Sequence, residues 1–393
     1  MKKFSARRIY AGDGNVWEDK VIITDDMGTI LSVEDKSLHP DGVRFIDGII
    51  TPGHINTHCH LELSHLKGKA PTGTGLIPFI THVVTSRDAA PEAIQDAIVQ
   101  ADREMADAGI VAVGDISNKS DTAAVKKQSD LDYYTFVEMF DFLHPGRTAE
   151  TLQQYLPVFD QQSADGHNKK SLVPHAPYSV SEALFDEIAL RNTPGGTISI
   201  HNQETPSENE LFLHKKGGFV DFYEKIGIDL HHFEAPGNHS IHYALQHLDP
   251  ESRTLFVHNT LTTSEDIKSA HAWSSGTFWA TCANANLYIE NRLPDYNVFI
   301  QSGAKMTIGT DSLTSNWQLS VWEEVKTIKK YASYVPLDTL IEWSTLNGAK
   351  ALGYEDRLGS IVPGKKPGLV AIENIKWTNF EPDISASTSR KII

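Results

Sequence analysis

His58 and His60 close the stretch Thr51-Pro52-Gly53-His54-Ile55-Asn56-Thr57-His58-Cys59-His60. Side chains alternate along a strand, so a strand over 55–60 puts both imidazoles on one face, about 7 Å apart, and Cys59 on the other. Two such imidazoles can hold one metal ion if further ligands converge from elsewhere. The pair alone is a weak signal, because 18 histidines in 393 residues give about 0.8 His-x-His pairs by chance. Its weight comes from downstream. His175, His201 and His258 each end an apolar run, in Pro174-His175-Ala176-Pro177-Tyr178, Ile200-His201-Asn202-Gln203-Glu204 and Val257-His258-Asn259, and Asp311 follows another in Gly309-Thr310-Asp311-Ser312. Scattered histidines would not choose strand ends, so the joint pattern is more specific than any member of it.

Bringing these groups to one rim requires parallel, neighbouring strands. Eight strand candidates fall at 55–60, 110–115, 134–140, 171–175, 197–201, 254–258, 277–281 and 305–310. Helical patterns lie between most of them, at 92–108, 149–159, 181–190, 264–273 and 319–331, with a last helix over 340–352. In the first, Ile94, Ala97, Ile98, Ala101, Met105 and Ala108 recur on one face. The alternation predicts an α/β fold, a TIM-like (β/α)8 barrel whose strand C-termini share one mouth. A doubly wound open sheet would need a Gly-rich phosphate turn after an early strand, and none is evident. Short β patterns at 5–10, 20–24 and 29–33, and again at 369–373 and 389–393, predict a small β-sandwich domain built from both chain ends (1–50 and 355–393), with the barrel over 51–354.

The net charge of −16, without a long basic run, argues against nucleic acid or an anionic membrane and leaves a small molecule as the expected partner, with a homodimer allowed for. Cys59 and Cys282 are too few for a disulfide framework or a Cys-x-x-Cys site. No apolar stretch follows the basic N-terminus and none is long enough to span a membrane, so a cytoplasmic protein is expected. His60-Leu61-Glu62 reads His-x-Glu, but zinc deaminases of the cytidine type also need Pro-Cys-x-x-Cys, which is absent.

Over essentially its whole length the sequence resembles the amidohydrolase superfamily. Within it, the motifs already quoted, His201-x-x-Glu204 and Leu358-Gly359-Ser360-Ile361-x-Pro363-Gly364-Lys365 are similar to the cytosine deaminase, guanine deaminase, chlorohydrolase and aminofutalosine deaminase branch. The resemblance implies a metal-dependent hydrolase of non-peptide carbon–nitrogen bonds, deaminating an aminated heterocycle or nucleoside. It implies that His58, His60, His201 and Asp311 hold one divalent ion. Three histidines and one carboxylate suit zinc, with iron(II) as the alternative. Asp311 would take a proton from water, Glu204 would relay one to a ring nitrogen, and His258 would hydrogen-bond the attacking oxygen. His175 would touch the substrate, and Glu138 and Glu62 are pocket candidates; Asp115 and Cys59 read as structural.

A carboxylated lysine bridging two ions would sit where His175 stands, so one ion is expected. The sequence departs from the branch at Cys282-Ala283-Asn284-Ala285-Asn286, where Cys-Pro-x-Ser-Asn is usual. Two other readings remain at this level. One is hydrolysis of a ring C–N bond, an imine or a carbon–halogen bond. The other is a non-catalytic barrel subunit, although none of the proposed ligands is missing.

Overall fold

The structure, a computed structural model, describes residues 1–378 and 381–393. The chain opens with β1 (Lys2–Tyr10), β2 (Val16–Trp17), β3 (Lys20–Thr24), β4 (Ile30–Asp35) and β5 (Arg44–Pro52). Eight strands follow: β6 (His54–Cys59), β7 (Ile110–Ser117), β8 (Asp132–Met139), β9 (Lys169–Pro174), β10 (Thr197–Asn202), β11 (Arg253–His258), β12 (Thr277–Thr281) and β13 (Met306–Ile308). The chain closes with β14 (Leu369–Glu373) and β15 (Thr388–Lys391).

The strands of the two chain ends form one sheet in the order β15-β14-β5-β1-β3-β4, with β2 against β1. β5 is its hinge, parallel to β1 and antiparallel to β14, which is how the tail rejoins the N-terminus. Phe4, Ile9, Ile22, Ile46, Ile50 and Leu369 form its apolar cluster. Hydrogen bonding therefore links into a single sheet what the sequence suggested as a sandwich. The chain passes into the barrel at Gly53, where an added Cβ would lie 2.3 Å from Val111 and 2.7 Å from the Pro367 carbonyl oxygen, so only glycine fits.

β6 to β9 form one parallel four-stranded sheet and β10 to β13 another. Hydrogen bonds join the two at both edges, giving the TIM-like order. At one seam the His201 amide donates to the His175 carbonyl (3.0 Å). At the other, the amides of Thr310 and Asp311 donate to the His58 carbonyl (2.9 and 3.0 Å). Asn56 clasps that seam, its Nδ2 donating to Thr310 Oγ1 (2.8 Å) and its Oδ1 accepting from the Thr310 amide (3.0 Å). The eighth strand is only Met306–Ile308, because the chain then packs tightly on β6. A Cβ on Gly309 would fall 2.8 Å from that of His58. The helix expected over 340–352 is two, Leu337–Ser344 and Leu346–Leu352, broken at Thr345 (φ −132°, ψ −88°). The break seats Gly348 against Ile55, where a Cβ would be 2.8 Å away.

Helices that the sequence did not reveal, among them Leu76–Ser86, Pro206–His214 and Gly218–Lys225, stand on the loops after the strands. With Tyr178 and Tyr288 they build an apolar cluster separate from the main core, through Leu76, Phe79, Leu211, Phe212 and Phe219. The turn carrying His60 is pinned from below. Buried Asp115 accepts from the Leu61 amide (2.7 Å) and pairs with Lys126 Nζ (2.6 Å), which also reaches Ser117 and Thr135. Removing one partner strands a buried charge, so Lys126→Met is expected to lower stability by about 3–5 kcal/mol in urea unfolding. A loss under about 1 kcal/mol would show that the pair is not a structural tie.

Candidate active site

The strand ends bring the histidines together. His58 Nε2 and His60 Nε2 are 3.2 Å apart, and Asp311 Oδ1 lies 3.4 Å from His60 Nε2 and 3.9 Å from His58 Nε2. A nitrogen of His201 falls within 4.8 Å of both other imidazoles. The His258 ring stacks on that of His201 at 5.4 Å and stands 5.7 Å from that of His58. His201 and Glu204, three apart, would point to opposite faces of a straight strand; Gln203, with a φ of 47°, turns the chain between them. His258 (φ 73°) and Asp311 (φ 57°) are also left-handed. On a regular strand His258 would continue the side of Phe256, which packs on Trp279 at 5.1 Å; the positive φ re-aims it into the cluster. Such strained non-glycine residues persist only where the surroundings hold them.

The donor set fits a divalent metal ion. Zinc–nitrogen bonds of about 2.0–2.1 Å at tetrahedral angles separate ligand nitrogens by about 3.3–3.4 Å, close to the His58–His60 and His60–Asp311 distances. Burial, reinforced by neighbouring imidazoles, holds His58 well below the usual histidine range and His60 at about 3, so both are neutral, the form that binds metal. His201 donates from Nδ1 to the His175 carbonyl (2.8 Å), which leaves its Nε2 available to an ion. Glu138, His175 and His201 form a second triad of the same spacing. A second ion at Nδ1 of His201 would have to break the bond to His175, which favours a single ion.

Glu204 and His258 face each other, with Oε1 and Nε2 3.7 Å apart. Burial, then the negative charges of Asp311, Glu290 and Glu208, pushes the Glu204 carboxyl well above the ordinary carboxylate range, which favours its protonated form. Glu208, missed in the sequence, accepts from the amides of Gln203 (3.0 Å) and Glu204 (3.1 Å) and fixes the turn that presents Glu204. Its position three residues into the helix after Thr205 was the available signal. Asn286, on the helix Ala283–Glu290 at the atypical stretch, accepts from His258 Nδ1 (2.8 Å) and leaves Nε2 as an acceptor towards the cluster. Asn286→Ala is expected to lower kcat about 10- to 100-fold by freeing that ring, with an unchanged thermal midpoint. An unaltered kcat would remove this orienting role.

The pocket candidates fare differently. The Glu138 carboxyl is buried; Oε2 accepts from Asn118 (3.2 Å), while Oε1 has no hydrogen-bond partner and lies 3.4 Å from His201 Nδ1. His175 bonds Ser179 Oγ through Nδ1 (2.7 Å), which leaves Nε2 for a ligand. Glu62 is engaged elsewhere. It pairs with Arg87 and accepts from the amides of Asn118 (3.0 Å) and Lys119 (2.9 Å), so it ties together the loops after β6 and β7. Burial still pushes its carboxyl up to about 7.

Residues 49–393 match the Amidohydrolase family. An adenosine deaminase of Helicobacter pylori is 28% identical over 363 residues, 91% of this chain and 86% of its own. The crystal structure of Helicobacter pylori aminofutalosine deaminase in complex with methylthio-coformycin superposes with a TM-score of 0.82 at 24% identity, covering 96% of this chain and 94% of that one. An adenosine deaminase from Xanthomonas campestris with bound zinc gives 0.70 at 22%, covering 94% and 84%. The match spans the barrel and the C-terminal strands, and the histidines and the acid converge where this fold places its chemistry. The chain thus belongs to the amidohydrolase family, as a hydrolase acting on carbon–nitrogen bonds other than peptide bonds.

Proposed function

We propose that this protein hydrolytically deaminates the purine ring of an adenosine-type nucleoside, with aminofutalosine-type compounds as the first substrates to test. His58, His60, His201 and Asp311 would hold a single ion, zinc before iron(II). The observation that carries the reading is the meeting of three imidazoles, one carboxylate and a buried glutamic acid at one rim. The sequence similarity to an adenosine deaminase supports the substrate class.

When bound, the ion supplies an acidified water as nucleophile. Each side chain then has a task. Glu204, uncharged, donates its proton to the ring nitrogen beside the amino-bearing carbon and makes that carbon electrophilic. His258, fixed by Asn286, accepts a hydrogen bond from the attacking water through Nε2. Asp311, steadied by Ser315 Oγ on Oδ2 (2.7 Å), takes the proton of that water. Asp311 then passes that proton to the departing nitrogen, which leaves as ammonia, while the remaining proton of the added hydroxyl returns to Glu204 and the ring keeps the oxygen as a carbonyl. Glu138 and His175 offer an acceptor and a ring nitrogen to the substrate. Free, buried Cys59 and Cys282 suit a reducing, cytoplasmic setting.

Ammonia release from adenosine, 5′-methylthioadenosine, aminofutalosine, guanine and cytosine, alongside metal analysis of protein purified without added metal, tests this. Ammonia from the nucleosides and about one ion per chain is expected. Ring-opened product without ammonia, or no turnover of any nucleoside, would overturn it.

A further inference from the structure

Trp317 is 53% exposed, whereas Trp279 is fully buried and Tyr178 is 3% exposed, stacked on Phe219 at 4.1 Å. Exposure of an indole is ordinary on a loose loop, but this loop is fixed. Ser315 Oγ donates to Asp311 Oδ2 (2.7 Å), and Asn316 Nδ2 donates to the Thr310 carbonyl (2.8 Å) and to Glu324 (2.8 Å). The Trp317 amide in turn donates to Asn316 Oδ1 (2.7 Å). The backbone is therefore held within six residues of Asp311 while the ring stays in solvent.

Among the described residues the ring has one aromatic neighbour, on the helix that also carries the Asn286 bonded to His258. Tyr288 lies 5.3 Å from Trp317, tilted by 58°, on the helix that carries Asn286 two residues earlier. Tyr288 is itself fixed: its hydroxyl donates to the Ala70 carbonyl (2.6 Å), and its carbonyl accepts from the Gly73 amide (2.7 Å) in the loop that follows the first two histidines. Supports of His258, Asp311 and the His60 loop thus meet beside one half-exposed indole. Among the described residues the other strongly exposed aromatics lie elsewhere: Phe45 is on β5 under Lys36, Tyr331 ends the helix Val321–Tyr331, and Tyr334 follows it.

We infer that Trp317 is a specificity-determining residue: its ring, braced by Tyr288, stacks on the part of the substrate remote from the reacting carbon. This rests on the nucleoside-deaminase reading and adds to it the residue that contacts the part of the substrate beyond its heterocycle. An amidine carbon seated among Glu204, His258 and the histidines leaves only the distal end of the molecule to reach a rim residue. An exposed ring costs apolar hydration that a flat or apolar group would relieve.

The test compares wild type, Trp317→Ala and Trp317→Phe on adenosine and 5′-methylthioadenosine, with the free base adenine as the short probe and methylthio-coformycin for direct binding. Trp317→Ala is expected to raise KM for the nucleosides and the Kd of methylthio-coformycin about 3- to 10-fold, the size of one aromatic contact. Its kcat should stay within twofold, adenine should be unaffected, and Trp317→Phe should restore most of the loss. Wild-type turnover with unchanged KM and Kd in Trp317→Ala would overturn the inference and leave the deaminase reading standing. So would an equal loss on adenine, or a change in oligomeric state without a change in KM. Failure of the wild type on every nucleoside would instead overturn the deaminase reading itself.

Discussion

His201→Ala and Asp311→Ala should each yield a folded protein that no longer turns over substrate in a metal-dependent way. His201 is the ligand candidate whose second nitrogen is already committed, to the His175 carbonyl, so no neighbour can take its place. Asp311 is proposed both as a ligand and as the proton acceptor. Loss of a general base alone costs about 10²- to 10⁴-fold, and loss of the ion adds to that. Metal content should fall in both variants, while circular dichroism stays that of wild type. The seam beneath Asp311 is built from backbone amides and Asn56, which neither substitution touches. Full activity in either variant would remove the mechanism.

Glu204→Gln should separate the acid from the ligands. The side chain keeps its size and its place on the turn held by Glu208, but it has no proton to give. We expect kcat to fall about 10²- to 10⁴-fold, with KM changed by no more than a few fold and metal content intact. The pH dependence carries the sign. Burial raises the Glu204 carboxyl, so the protonated form persists to higher pH than for an ordinary carboxyl, and activity declines as pH rises through that raised value. Glutamine does not titrate, so the alkaline limb should vanish in the variant. A variant that retains the limb would assign it to another group.

Much of this architecture was legible because the apolar runs and the helical period are local. The strand expected over 55–60 is His54–Cys59, and the helix expected over 264–273 is Ser264–Trp273. Strand ends could be read for the same reason: a histidine closing an apolar run shows in one window of sequence. What stayed hidden depends on contacts between distant segments. Glu324 accepts from the amide and side chain of Asn284 and from Asn316, tying together the loops after β12 and β13, yet in sequence it is one more glutamate on an amphipathic helix. Glu62 looked like a pocket residue because it follows His60 closely; Arg87, twenty-five residues on, claims it instead. The cap helices were missed because their apolar faces pack on one another above the barrel and not on its core.

The seam clasped by Asn56 and Thr310 joins residues 254 positions apart. During synthesis the first two imidazoles therefore leave the ribosome long before the carboxylate that completes their set. Until that last segment arrives, the nascent chain offers an incomplete and solvent-open pair, a poor trap for any cation. Selection of the ion then falls to the finished barrel, and a ribosome-bound chain stalled before the eighth strand should carry no metal at all.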